Sequence, residues 1–219
     1  MNEEAVGIFQ VIEQEIIDSL TKVSAPEEPV YACSFFHFYW DGENIHEPFF
    51  TYNIESSESS RDPRLRWHPG DWIYDEHDTL GQAIRPLYVS LSQTLKNEPE
   101  EVWKKVGEYQ DSLYCNMCMK LNNVINESDS PFAGWNLTDD FVIGVFDHER
   151  GDIMEELAKK SVGVDKFQKN RIFMDDPAVQ YEKALQNRSS YREKLVDKGV
   201  SNETAWGLAV EKYPLPKST

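Results

Sequence analysis

The sequence has little positive charge and no long apolar run. It carries 22 Lys and Arg against 39 Asp and Glu, a formal net charge of -17. Such a charge repels phosphate backbones and anionic lipid, so we expect neither nucleic acid nor a membrane surface as a partner. No stretch reaches the roughly 20 consecutive apolar residues of a membrane helix. The opening residues, MNEEAVGIFQ, contain acids where a signal peptide has basic residues, so the predicted location is cytoplasmic.

Cysteine is scarce as well. Cys33, Cys115 and Cys118 are three in number, and thiols usually stay free in a reducing compartment. Cys115 and Cys118 would be neighbours on a helix, where they could share a zinc ion or form a redox pair. However, the sequence has no second C-x-x-C and no H-x-x-x-H to complete a zinc site. We therefore predict ordinary buried thiols, no metal and no cofactor, with a redox or metal role as the less favoured alternative.

The familiar catalytic motifs are missing too. The sequence contains no G-x-G-x-x-G, no phosphate-binding P-loop, no G-x-S-x-G and no H-E-x-x-H. Carboxylate-based active sites leave no such local signature, so an enzyme is not excluded. We assign no catalytic residue from the sequence.

Aromatic residues are abundant, with six Trp, eleven Phe and ten Tyr to build a core. Apolar residues at helical spacing predict a first helix over 3–23. The segment VYACSFFHFYWDGENIHEPFFTYNI, residues 30–54, predicts two strands joined in a tight hairpin through Asp41-Gly42. The polar stretch ESSESSRDPR, residues 55–64, predicts a surface loop.

The rest of the chain alternates helical and strand patterns. We predict helices over 79–96, interrupted at Arg85-Pro86, and over about 98–126. The run DDFVIGVFDHE predicts a buried third strand, followed by a short helix over 152–160. Charged helical sequence follows, with Asp176-Pro177 and Ser201 marking helix starts. The predicted fold class is α+β, an antiparallel sheet with helices packed on it in residues 1–165, plus a charged helical extension over 166–219 that packs on the same domain.

Three local patterns resemble a bacterial family of unknown function, numbered 4303. They are the aromatic hairpin YACSFFHFYWDGENI, the segment LRWHPGDWIY and the strand DDFVIGVFDHE, and the resemblance covers roughly residues 5–165. The most specific part is Arg66-Trp67-x-Pro69-x-x-Trp72. The resemblance implies helices on an antiparallel sheet, and it brings no activity, cofactor or catalytic residue. By analogy with other small cytosolic families, it suggests an immunity protein that neutralises a toxin.

Two segments gather residues that could perform acid-base chemistry. One runs from His68 to Asp78 and includes two His and three Asp, and the other is the turn containing Asp147 and His148. The segment from His68 to Asp78 has no recognised metal-ligand spacing. Asp147 and His148 are adjacent, and adjacent residues on a strand point to opposite faces. We therefore predict that both segments are structural, with Trp67 and Trp72 as core anchors. An enzyme of unknown reaction built on them is the alternative hypothesis.

Two acidic clusters could form a docking surface for a basic partner. One lies on the first helix and the other in the polar stretch; their members are Glu13, Glu15, Asp18, Glu55, Glu58 and Asp62. The leading hypothesis is a cytosolic binding protein, most concretely an immunity-like protein that covers a basic toxin. A housekeeping protein whose helical extension mediates self-association is a further alternative.

Overall fold

The structure is a computed structural model that describes residues 3–41, 43–62, 64–72, 74–75, 77–147, 150, 153–174 and 177–215. The chain divides into two compact units. Unit 1 is Met1–Asn170 and unit 2 is Arg171–Thr219. The sequence places the boundary at residue 165, five residues earlier.

Helices make up most of the described structure. Their bounds are Glu3–Leu20 (α1), Glu58–Arg61 (α2), His77–Leu95 (α3), Glu100–Asn123 (α4), Met154–Val162 (α5), Val164–Lys169 (α6), Pro177–Val196 (α7) and Asn202–Lys212 (α8). The predicted starts at Pro177 and Ser201 are confirmed; the Ser201 hydroxyl accepts a hydrogen bond from the backbone N–H of Thr204. Asp152 and Asp176 lie outside the described residues.

The strands form one mixed sheet, and the fold class is α+β as predicted. The strands are Val30–Phe36 (β1), Phe49–Ile54 (β2), Tyr74–Asp75 (β3) and Leu137–Val145 (β4), in the order β3-β2-β1-β4. The sheet is mostly antiparallel, as predicted, but not strictly so, because β4 runs parallel to β1, with Cys33 opposite Ile143. A parallel neighbour needs a long crossover, here the helical segment between β2 and β4.

The connection between β1 and β2 differs from the predicted tight hairpin. The two strands do pair antiparallel, but β1 ends at Phe36, and His37 has a left-handed φ of 62°. A smaller turn follows, in which the Asp41 N–H donates to the Asn44 carbonyl and Trp40 bridges Ile45. Asp41 thus lies in a turn, but within a long excursion from the sheet; Gly42 lies outside the described residues. A residue with positive φ cannot continue a β ladder, which explains the early end of β1.

The polar stretch 55–64 is not a surface loop. It contains the one-turn helix α2, capped by the Ser57 side chain, and the side chains of Ser57, Ser59 and Ser60 are buried. Each serine hydroxyl finds a partner nearby; Ser57 donates to the Ile54 carbonyl and Ser60 to the Glu55 carbonyl. Composition predicted exposure, but internal hydrogen bonds allow these small polar groups to be buried.

The remaining helices follow the sequence with two differences. Helix α3 continues through Pro86 without a break, and α6 was not predicted. Helix α1 ends at Leu20, three residues before the predicted end. Across the described ranges, none of the helices has both the length and the apolar character that crossing a bilayer requires.

The core of unit 1 lies between the sheet and its helices. Helix α1 presents its buried positions at intervals of three and four, so one stripe of the helix faces inward. It packs on α3 and α4, while α4 and α5 pack on β4. The largest fully buried side chains of this core include Tyr31, Tyr88, Tyr114, Phe9, Phe35 and Phe50.

Unit 2 is a helical hairpin in which α7 packs against α8. The Arg188 guanidinium donates through Nε to the Tyr213 carbonyl at 2.7 Å. The Tyr191 and Tyr213 rings meet edge to face, and Lys212 lies 4.1 Å above the Tyr191 ring. Ala205 and Ala209, four residues apart, are fully buried, as small side chains allow close packing of two helices.

Candidate functional site

The segment Arg66 to Trp72 is an aromatic hub against β1. The Trp67 and Trp72 rings lie 5.7 and 5.9 Å from the Tyr31 ring, and both also contact Phe146 edge to face. The backbone carbonyl of Arg66 accepts hydrogen bonds from the Tyr31 hydroxyl at 2.7 Å and from Trp72 Nε1 at 3.1 Å. Pro69, which begins a short 3-10 turn, is itself buried.

The Arg66 guanidinium joins this hub to the polar stretch. It forms a bidentate ion pair with Glu55, at 3.2 and 3.1 Å, and donates to the Ser60 carbonyl at 2.7 Å. Its central carbon lies 4.2 Å above the Tyr31 ring. Beneath it, the Asn53 amide donates to Ser59 Oγ and to the Tyr31 hydroxyl. These contacts all satisfy polar groups of the fold, as in the structural interpretation of the motif.

The acid-base residues predicted around this hub are only partly described. His68 is half-buried, and its backbone N–H donates to the Leu65 carbonyl. Asp71 is exposed at the end of the 3-10 turn. The side chain of Asp78 lies outside the described part, so the proximity of His68 to Asp78 stays untested.

The turn after β4 contains a buried carboxylate. Asp147 is fully buried, and its Oδ2 accepts a hydrogen bond from the Phe38 N–H at 2.9 Å. This bond ties the excursion after β1 to the end of β4. Arg150 forms a bidentate ion pair with Asp111 on α4, at 3.0 and 2.9 Å. His148 is outside the described residues, so its proposed pairing with Asp147 stays a prediction.

The three cysteines are buried as free thiols. Burial raises the pKa of Cys33 and of Cys118 well above the ordinary value, and it raises the pKa of Cys115 to about 12, with Asp111 adding to the effect. The Cys115 thiol donates to the Leu157 carbonyl. A thiol held neutral in this way is a poor nucleophile and a poor metal ligand. Within the described part of the chain, no group of three His, Cys, Asp or Glu side chains is arranged to hold a metal ion.

The two predicted acidic clusters are partly neutralised by their own neighbours. Lys120 lies 2.8 Å from Glu13, Arg66 pairs with Glu55, and Arg64 lies 2.6 Å from Asp62. The hydrogen bonds from Arg64 lower the pKa of Asp62 to about 2. Asp18 accepts a hydrogen bond from the Gln14 amide. Half of the six predicted carboxylates thus already have a cationic partner, and the clusters are weaker docking surfaces than the sequence suggested.

A groove that sequence patterns did not reveal lies between the excursion after β1 and helix α3. Its volume is about 720 Å³. Residues 43–47 form one wall, and the other is formed by α3, with Arg85 and Val89, and by Lys96 just after it. Ser92 ties the walls together by accepting a hydrogen bond from the Ile45 N–H at 3.0 Å. We call this cavity the α3 groove.

Exposed apolar and acidic side chains surround the α3 groove. Val89 is 52% exposed, and Tyr39, 50% exposed, packs on the ring of His46 at 5.3 Å. Backbone N–H groups of residues 43 and 44 donate to Asp41 and lower its pKa, so this carboxylate stays charged. Glu43 is exposed, whereas Glu47 is paired with Arg85 at 2.5 Å.

Buried polar groups support the wall of the groove. The Gln110 amide donates to the Tyr88 hydroxyl at 3.0 Å and to the His46 carbonyl at 3.2 Å. Tyr88 and Tyr114 share a hydrogen bond at 3.1 Å, and burial raises the pKa of both. The groove is therefore a fixed feature of the fold, because a satisfied buried network holds its wall.

Comparison with protein families, with curated proteins and with solved structures finds no match to this chain in any of the three. The resemblance to family 4303 therefore stays a prediction.

Proposed function

We propose that this protein is a cytoplasmic binding protein whose acidic unit 1 covers a basic protein partner, in the manner of an immunity protein that blocks a toxin. The observation that carries the proposal is the distribution of charge between the two units. Unit 1 has 14 Lys and Arg against 32 Asp and Glu, a net charge of -18, whereas unit 2 has 8 against 7. A field this strong in one compact unit attracts basic surfaces and speeds their encounter.

The α3 groove offers apolar contacts to a partner, which net charge alone does not provide. Large exposed aromatic side chains provide most of the affinity in protein interfaces, and Tyr39 is such a side chain, packed on His46 of the groove wall. Val89 offers a second apolar contact and Glu43 a negative charge in the groove, and Asp41 lies 3.9 Å from His46 of its wall. The groove and its rim therefore suit a protein loop with an apolar side chain flanked by Lys or Arg.

Among the described residues, the candidate catalytic groups of the enzyme hypothesis are engaged in structural contacts or held neutral. Asp147 binds the backbone of Phe38, and the three thiols are held neutral. The proposal includes three further points besides the basic partner. They are membership of family 4303, the absence of nucleic-acid partners and a cytoplasmic location.

A pull-down from lysate of the source organism tests the proposal. Full-length protein and the variant Tyr39→Ala are compared, with Tyr181→Ala as control, because Tyr181 is 45% exposed but lies in unit 2. We expect the wild type and the control to retain one basic protein that washes off at high salt, and Tyr39→Ala to lose it. Equal recovery by all three variants, or recovery of no basic protein, would contradict the proposal.

The predicted acidic clusters are tested separately with Glu15→Gln and Glu58→Gln. These two side chains make no ion pair among the described residues, so their neutralisation leaves the fold intact. Each should slow association and reduce its salt dependence if its cluster faces the partner. Unchanged association rates for both variants would remove the clusters from the interface and leave the α3 groove as the docking surface.

A further inference from the structure

A second cavity of unit 1 lies between the end of α4, the start of β4 and helix α6. Its volume is about 410 Å³, within the range of small-ligand sites. The side chains that matter below are Asn122, Thr138, Asp139, Asp140, Lys166 and Lys169. We call it the lysine pocket.

One side of the lysine pocket is cationic. Lys166 is half-buried, and its ammonium donates to the Asn122 carbonyl at 3.1 Å and to the Asn122 side-chain oxygen at 3.4 Å. Its pKa is lowered, first by burial and then by the charge of Lys169. Within the residues that the structure describes, neither lysine has a carboxylate partner within ion-pair distance. Because neither lysine has a carboxylate in ion-pair contact among the described residues, the two charges leave room for an anionic group.

The opposite charge lies on the start of β4. Asp139 and Asp140 line the same pocket, and neither forms an ion pair in the described structure. The Asn170 amide donates to the Asp140 carbonyl at 2.8 Å and so fixes this strand to the end of α6. These two lysines and two aspartates therefore line one cavity without forming an ion pair among the described residues.

An unsatisfied hydroxyl and an apolar wall complete the pocket. Thr138 Oγ1 is buried and has no hydrogen-bond partner among the residues that the structure describes, although a buried hydroxyl normally has one. Ile125, Leu137 and Phe141 supply apolar surface in the same cavity. A ligand that gave the hydroxyl an acceptor would remove the cost of this orphaned group.

We propose that the lysine pocket binds a free α-amino acid with an apolar side chain. The carboxylate lies between Lys166 and Lys169 and accepts a hydrogen bond from Thr138 Oγ1. The ammonium lies against Asp139, and the side chain lies on the apolar wall. A ligand of one charge would meet repulsion from one pair of residues, whereas a zwitterion is complementary to both. This site is separate from the α3 groove and does not depend on the proposed partner.

Calorimetric titration of the full-length protein with three matched probes tests the proposal. L-leucine carries both charges, leucinamide carries only the ammonium, and 4-methylpentanoate carries only the carboxylate. We expect leucine to bind at least about tenfold more tightly than either analogue, the difference that one lost charged interaction produces. Absence of leucine binding would overturn the proposal, and equal binding of 4-methylpentanoate would replace it by a simple anion site.

Variants locate the binding. Lys169→Gln and Asp139→Asn change exposed side chains with no described hydrogen bond, so both proteins should fold normally. Each should weaken leucine binding about tenfold or more, whereas Lys104→Gln, an exposed lysine on α4, should leave it unchanged. Equal leucine affinity in all four proteins would place the ligand elsewhere and overturn the assignment.

The chemical reactivity of Lys166 gives a test of binding that is independent of calorimetry. A lysine with a lowered pKa has more neutral amine at a given pH and is acylated faster. Bound carboxylate should raise that pKa and slow the acylation of Lys166, measured by peptide mass spectrometry with and without leucine. The rate at Lys104 in the same digest is the internal control. Unchanged acylation of Lys166 at saturating leucine would contradict the placement of the carboxylate.

Discussion

At the scale of single residues, two arginines close in sequence have different roles. Arg66 is 22% exposed at its side chain, binds Glu55 and Ser60, and stacks on Tyr31. Arg64 is 69% exposed and pairs with Asp62 at the surface. Because a partly buried bidentate guanidinium satisfies a carbonyl and covers an aromatic ring, its removal costs more than the loss of a surface ion pair.

Arg66→Met should therefore lower the free energy of unfolding by about 1–3 kcal/mol, the cost of leaving buried polar groups without a partner. Arg64→Met, the matched control, should leave stability unchanged within error, because exposed pairs contribute little. Urea unfolding followed by tryptophan fluorescence measures both, and Trp67 and Trp72 lie in the affected hub. Equal stability of the two variants would show that the hub does not depend on the guanidinium.

The buried thiols and phenols make stability depend on pH at the alkaline end. Folding raises the pKa of Cys33, Cys115 and Cys118, and also of Tyr31, Tyr88 and Tyr114. The unfolded chain releases these protons at lower pH than the folded chain. The stabilisation is therefore complete below the ordinary pKa values and declines as pH rises above them.

We expect the free energy of unfolding to fall above about pH 8.5, the ordinary pKa of a thiol. For Cys115 the decline continues to its folded pKa of about 12. Each thiol contributes at most about 1.4 kcal/mol per pH unit. Urea titrations at a series of pH values measure the slope. Replacing all three cysteines by Ala should make this pH slope smaller. The cavities that the substitutions leave lower stability at every pH and do not alter the slope. An unaltered slope would show that the thiols do not cause the decline.

At the scale of elements, Gly144 lets strand β4 and helix α5 approach closely. A Cβ atom at this position would lie 2.5 Å from the Phe146 ring and 2.9 Å from Val162 Cγ1. Side chains that do interact across this seam include Ser161, which accepts a hydrogen bond from the Val145 N–H at 2.9 Å. The packing of α5 on the sheet thus requires the absence of a side chain at residue 144.

Gly144→Ala should destabilise unit 1 by about 1–3 kcal/mol, because the added methyl group overpacks the core. Gly7→Ala is the matched control on α1, where a Cβ meets nothing within 4 Å. It should stabilise the protein by about 0.5–1 kcal/mol, since alanine favours a helix over glycine. Thermal unfolding of both variants measures the two signs, and a neutral Gly144→Ala would contradict the close approach.

Local patterns explain which elements the sequence predicts correctly. Helix α1, helix α4 and strand β4 follow from apolar spacing, and the cap at Ser201 follows from its residue type. The parallel pairing of β1 with β4 depends on tertiary contacts between distant segments, and periodicity carries no information about it. The left-handed His37 is equally invisible, since a β-rich pattern continues past it.

The candidate sites could not be predicted for the same reason. The lysine pocket joins residues from α4, β4 and α6, and the α3 groove joins an excursion to a helix some 40 residues later. Neither leaves a motif within a single element. Sequence composition did reveal the acidic character, but only the structure shows that Glu13, Glu55 and Asp62 have cationic partners.

At the scale of the whole molecule, the charge of unit 1 opposes its own compact state. Its net charge of -18 is spread over 170 residues, so like charges repel one another across the folded surface. Salt screens this repulsion over about 10 Å at 0.1 M ionic strength. We therefore expect the melting temperature to rise as sodium chloride is added from low to physiological ionic strength. Sodium chloride and potassium chloride should raise the melting temperature equally. A melting temperature that does not change with salt would show that the ion pairs already relieve the repulsion.

The position of β1 in the sheet affects how the chain is made. Its two neighbours are β2, which follows almost at once, and β4, whose residues are synthesised about 110 positions later. At 5–20 residues per second, one edge of β1 stays unpaired for roughly 5–20 s, until β4 has been synthesised. That edge belongs to the segment VYACSFF, which is rich in aromatic and apolar residues. A nascent chain of this protein therefore carries a strand with one unpaired apolar edge while about 110 further residues are synthesised, and a ribosome-associated chaperone would protect this strand above all.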